Sequence, residues 1–169
     1  LDTKNGKIFT IAQWYPRMCV YDDLRGWNTN PYLGASEFYL EYGDFDVNIT
    51  VPSNHIVVSS GELLNPSSVY TATEQIRLAA AKQSEKTVMI RTAEEVASNA
   101  SKTTASEKTW HFKIKNARDL SWASSPAFIL DGARINLPSG QKSLALSAYP
   151  VESAGNEAWG RSTEYTKSS

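Results

Sequence analysis

Cysteine occurs once, at Cys19, so no internal disulfide can form. A cysteine nucleophile would need a histidine brought to it by the fold, and only His55 and His111 exist to serve. A buried, inert thiol is therefore expected at Cys19. No His-Glu-x-x-His is present, which removes the usual helical source of two zinc ligands. His55 and His111 fall in separate strand-like segments among alternating apolar residues, so no metal site is expected in the chain. No apolar run approaches the ~20 residues of a membrane-spanning helix. Basic residues show no excess, 17 Lys and Arg against 18 Asp and Glu, so neither nucleic acid nor an anionic membrane is expected as a partner. Internal repeats and a Gly-x-Ser-x-Gly nucleophile elbow are also missing. Leu1-Asp2-Thr3-Lys4 is neither an initiator methionine nor a signal peptide, and the expectation is a piece of a longer protein.

What remains is rich in aromatics, 11% of residues within 41% hydrophobic, enough to build a core and to argue against global disorder. At 169 residues one domain is expected, hiding roughly 70% of the unfolded chain's surface. Lys7–Gln13 has the composition of a strand. Phe38, Leu40 and Tyr42 alternate with Glu37, Tyr39 and Glu41. After Gly43-Asp44 the alternation continues with Phe45, Val47, Ile49 and Val51 against Asp46, Asn48 and Thr50. His55–Ser59 forms the next strand beyond Pro52-Ser53-Asn54, and the short links predict a meander of antiparallel neighbours.

Composition changes at Gly61. Asn65–Ser68 is expected to be a loop, and Thr73–Lys82 a helix built of good helix formers and capped by Thr71 or Thr73. Thr87–Ile90 suits a short strand. Thr92 with Glu95 has capping-box spacing for a second short helix, and Ser98–Lys108 looks like a flexible loop. Strands return at Thr109–Ile114, with Trp110, Phe112 and Ile114 on one face, and at Pro126–Leu130. A turn at Asp131-Gly132 and a last strand over Ser143–Tyr149 follow. The predicted fold is mainly β: an antiparallel sandwich over residues 1–155 with one or two short inserted helices. Residues 156–169 are expected to be a linker or the start of a helix.

Three acidic pairs invite a glycosidase reading: Asp22/Asp23, Glu37/Glu41 and Asp44/Asp46. Against it, Glu37 and Glu41 share the polar face of one expected strand, and Asp22-Asp23 ahead of Arg25-Gly26 suits a turn. Five tryptophans and eight tyrosines invite a carbohydrate- or protein-binding module. Trp110 is in register with core positions, whereas Trp14, Trp27, Trp122 and Trp159 have no periodicity to place them. Asn48-Ile49-Thr50 and Asn99-Ala100-Ser101 match the N-glycosylation pattern and are read as chance matches.

Several segments in order resemble the N-terminal domain of aminopeptidase N-like zinc metallopeptidases. They are Ile11-Ala12-Gln13-Trp14-Tyr15-Pro16, Glu37-Phe38-Tyr39 through Val51, Gly61-Glu62-Leu63 and Arg118–Pro126. The Gly-x-Met-Glu-Asn and zinc motifs of the family's catalytic domain do not occur. The resemblance thus implies a non-catalytic domain, inactive alone, whose cofactor zinc belongs to a catalytic domain elsewhere in the parent protein. It implies two partners, that catalytic domain and the amino terminus of a peptide substrate. It also implies one site residue, Gln13, matching the family's glutamine that helps hold the substrate's free amino group. Where the family often has Phe-Asp-x-Pro, this chain has Tyr21–Trp27, which suggests a distinct bacterial-type branch.

Overall fold

A computed structural model describes residues 1–31, 34, 38–100, 105–155 and 157–168. The chain is mainly β, with short helices, and every strand pair is antiparallel. The strands are β1 (Asp2–Thr3), β2 (Gly6–Lys7), β3 (Phe9–Ala12), β4 (Tyr21–Asp22), β5 (Gly26–Trp27), β6 (Gly43–Pro52), β7 (Ile56–Ser59) and β8 (Glu62–Leu63). Helices α1 (Pro66–Val69) and α2 (Ala72–Ala81) follow, then β9 (Val88–Arg91) and α3 (Ala93–Ala100). The rest is β10 (Glu107–Ala117), β11 (Ser121–Ser125), β12 (Phe128–Asn136), β13 (Lys142–Pro150) and α4 (Ser162–Ser168). Among the described residues there are three three-stranded sheets, in the orders β6-β10-β8, β3-β11-β7 and β13-β12-β9, and two separate two-stranded hairpins, β1-β2 and β4-β5.

The alternation along β6 holds: Ile49 and Val51 are buried, while Asp46, Asn48 and Thr50 are exposed. Opposite them in β10, Trp110 and Phe112 are buried and stack with centroids 6.3 Å apart. These four join Ile56 and Val57 of β7, Ile90 of β9, Phe128 and Leu130 of β12 and Leu78 of α2 in one core cluster. The capping box expected of Thr92 and Glu95 forms, and of the two caps considered for the first helix it is Thr71 that serves, in a capping box with Glu74. Thr71 Oγ1 accepts from the Glu74 amide while Glu74 accepts from the Thr71 amide, and Thr92 and Glu95 do the same for α3.

The structure corrects six expectations. The meander is absent, because β6 pairs with β10 whereas β7 pairs with β11, so the chain changes sheets at Pro52–His55. A short link demands proximity, not pairing, and a corner between sheets satisfies it. Phe38–Tyr42 is no strand; period-two alternation supplies a face but no pairing partner, and β6 begins only at Gly43. Glu37 lies outside the described residues. Asn65–Ser68 is not all loop, since Pro66 opens the single-turn helix α1, where its missing N–H costs nothing.

The Ser98–Lys108 loop is shorter than expected at both ends. Ser98 and Asn99 side chains donate to the Glu95 carbonyl and extend α3 to Ala100, and β10 starts at Glu107. Residues 101–104, including Ser101 of the second glycosylation pattern, lie outside the described residues. Asp131-Gly132 is not a turn but the middle of β12. A Cβ on Gly132 would stand 2.8 Å from the Ala145 carbonyl oxygen, so glycine permits close strand approach here. Finally Cys19 is exposed, and its neighbour Val20 takes the buried place.

Over the expected linker or helix start, a 3-10 turn at Trp159–Arg161 leads into α4. Thr163 of α4 is buried and donates to Asp131 Oδ1 at 2.5 Å, while Tyr149 donates to the other carboxylate oxygen. The Ser147 hydroxyl meets Thr163 Oγ1 at 2.8 Å, which ties α4 to both β12 and β13.

Candidate functional site

Strand β3 runs along β11 and ends on the rung Ala12↔Ser121. At Gln13 the backbone enters the left-handed region, φ 54°, which breaks the ladder. A non-glycine residue held there costs on the order of 1–3 kcal/mol, so the surroundings must impose it. They do so from the other side. Trp14 meets Trp122 of β11 edge-on at 6.2 Å and Tyr15 edge-on at 5.0 Å. Tyr15 packs edge-on against Phe45 at 5.5 Å.

Tyr15 also donates its phenol hydrogen to Asp119 Oδ1 at 2.6 Å. The same oxygen accepts from Arg17 Nη2 at 2.8 Å and from the Leu120 amide at 2.7 Å. Arg17 lies over the Tyr15 ring, 4.8 Å from its centroid, and faces Phe38 at 5.9 Å. Burial pushes the Asp119 carboxyl upward, but the Tyr15 hydroxyl, the Leu120 amide and Arg17 outweigh it and hold the group below its usual range. Burial and then Asp119 push the Tyr15 phenol up. At neutral pH the group is a neutral phenol, a carboxylate and a guanidinium.

Gln13 itself is exposed, and its carboxamide has no hydrogen-bond partner among the described residues. A free carboxamide oxygen can accept from an ammonium. Trp14, Phe38, Tyr39 and Tyr42 are exposed aromatics, Phe38 beside Arg17 and Tyr42 under the Arg118 guanidinium at 4.9 Å. A groove of about 420 Å³ follows β3 toward Gln13, lined by Thr10 to Ala12, Val58 to Ser60 and Ser121 to Ala123. A larger depression of about 640 Å³ lies beside α4. In its charged wall Glu85 accepts from Arg134 and Asn136, Lys167 donates to the Glu85 carbonyl and Glu164 accepts from Arg161.

The other chemical candidates fall into structural roles. Asp22 Oδ1 accepts from the Leu24 and Arg25 amides, the turn expected of it. Asp44 accepts from the Asn116 amide, and Asp46 pairs with His111 at 2.6 Å and Lys113 at 3.2 Å. Glu41 is exposed. His55, in the link before β7, meets through Nδ1 the hydroxyl of Ser124 in β11 at 2.6 Å, whereas His111 lies on β10 of another sheet. Among the described residues no group of three or more His, Cys, Asp or Glu side chains can hold a metal ion, and no helix is long and apolar enough to cross a membrane. Trp110 is core as expected. Trp14 and Trp122 prove to pack on each other, and Trp27 crosses Tyr21 on the exposed β4-β5 hairpin.

Sequence reasoning singled out Gln13 but not Tyr15, Arg17 or Asp119. The spacing Gln-x-Tyr-Pro-Arg held a weak signal, because proline fixes the backbone between two side chains that then return to one side. Compared with protein-family models, with curated proteins and with solved structures, the chain matches none.

Proposed function

We propose that this chain is the non-catalytic, N-terminal β-rich domain of a zinc-dependent, aminopeptidase N-like peptidase. In this reading it walls one side of the active-site cleft and offers Gln13 to the free amino group of the peptide substrate. The zinc belongs to a catalytic domain elsewhere in the parent protein, which is also the domain's principal partner. The observation that carries the reading is the pose of Gln13. A strand ends there, a strained backbone lifts the residue out, an aromatic clamp holds its far side, and its carboxamide has no partner among the described residues.

The chemistry follows from what an aminopeptidase must recognise. A free amino terminus is an ammonium with three donors. A glutamate supplied elsewhere can neutralise its charge, while a neutral carboxamide oxygen accepts one hydrogen and fixes its direction. Hydrogen bonds involving a charged group contribute roughly 1.5–3 kcal/mol, enough for a tenfold or greater preference for a correctly placed amine.

The test uses the chain and its parent side by side. The chain alone, with added zinc, should release nothing from aminoacyl-p-nitroanilides, while the complete parent should cleave them and lose that activity on chelation. Robust hydrolysis by the chain alone, or an inert parent, overturns the proposal. The exposed Tyr21–Trp27 pair keeps a second reading in view, a stand-alone carbohydrate-binding module. Its rings cross at 70° and offer no flat platform for a sugar face. Saturable glycan binding by the chain would favour that module over the peptidase domain.

A further inference from the structure

We infer that Tyr15, Arg17 and Asp119 form a positioning unit for Gln13, setting the height and direction at which its carboxamide meets the substrate amine. The inference rests on the proposed role of Gln13 and adds residues that act through it without touching substrate.

The geometry is that of an arch between two footings. One footing is the last rung of the β3-β11 ladder, Ala12↔Ser121. The other is the Tyr15–Asp119 hydrogen bond, only two residues earlier on the opposing chain. Gln13 and Trp14 are the span between them, and Trp14 leans on Trp122, inside the same short stretch of that chain. Both footings therefore stand on residues 119–122, and the span cannot shift without moving one of them. A left-handed residue within so short a span has its backbone fixed, and with it the point and direction from which the side chain departs.

The second footing is overdetermined. Asp119 Oδ1 takes three donors, and Arg17 Nη2 also reaches the Tyr15 hydroxyl at 3.2 Å, closing a triangle. The Arg17 Nη1 atom is buried without a partner among the described residues. A guanidinium kept in place with one donor unsatisfied is poorly explained by stability alone, since such a donor is costly. It is better explained where a precise pose is needed. The directions in which Tyr15 and Asp119 are shifted keep the triangle in one protonation state through the neutral range.

The experiment is a double-mutant cycle in the complete parent protein. Tyr15→Phe, Asp119→Asn and Gln13→Ala are made singly, and each of the first two is combined with the third. Steady-state kinetics are read on a leucyl-p-nitroanilide. Tyr15→Phe deletes one oxygen and leaves the ring packed; Asp119→Asn keeps the shape and removes the charge. Each should lower kcat/KM by about three- to tenfold alone, and by less than about twofold in the Gln13→Ala background, because a positioning residue has nothing left to position. An equal loss in both backgrounds overturns the inference and leaves Gln13 its role. So does no loss from either clamp variant beside a clear loss from Gln13→Ala. No loss from Gln13→Ala itself overturns this inference and the proposed role of Gln13 together.

Discussion

The phenol of Tyr15 and the carboxylate of Asp119 lie 104 positions apart in sequence and 2.6 Å apart in space. That contact closes the segment after Gln13 onto the turn between β10 and β11, and it does so beside an aromatic cluster, not in the main core. Removing the hydroxyl alone, in Tyr15→Phe, should cost about 1 kcal/mol, a charge-assisted hydrogen bond discounted for partial exposure. Urea unfolding of the chain checks this: the midpoint should fall while the slope stays constant. An unchanged midpoint would mean that water replaces the bond at no cost.

His55 should lower stability as pH falls below the neutral range. Burial, then the charges of Arg91 and Lys108, hold its proton affinity below the ordinary value near 6.5. The unfolded chain then binds more protons than the folded one between the two values, so stability rises with pH across that interval. The contribution is complete above pH ~6.5 and is lost as pH falls toward the folded value. Denaturation midpoints measured from pH 7.5 down to 5 should decline, and His55→Gln should flatten that decline. A decline of equal steepness in the variant would assign it to other groups.

Thr163 holds α4 to the sheet through Asp131, a carboxylate 1% exposed whose two oxygens accept from Thr163 and Tyr149. Thr163→Val keeps the volume and deprives one buried oxygen of its donor, at a cost of about 1–3 kcal/mol. Amide exchange should quicken first in Ser162–Ser168. Exchange that quickens equally in β10 would show global loosening instead of release of the helix.

What could be read from residues alone was whatever is local. The alternation from Phe45 to Val51 predicted its own buried face, the Thr92/Glu95 spacing predicted its capping box, and the first helix's cap was narrowed to Thr71 or Thr73, because each signal spans only a few residues. Pairing was not legible. β3 meets β11 across more than a hundred residues, and β6 abandons β7 for β10; a period of two says which side chains share a face, never which strand lies alongside. Gly132 looked like a turn because glycine serves both turns and close strand approach, and the opposing Ala145 carbonyl that decides between them is remote in sequence. At the candidate site, Gln13 was singled out through the resemblance of its segment. The three side chains that hold its neighbourhood in place were not, since Asp119 comes from the far end of the fold.

The most direct measurement is the kcat/KM of the complete parent protein on an aminoacyl-p-nitroanilide, with Gln13 intact and as Gln13→Ala. If the carboxamide holds the substrate amine, the ratio falls about tenfold or more, each ~1.4 kcal/mol of lost transition-state binding being a decade. An unchanged ratio, with the variant folded as the native protein is, contradicts the account.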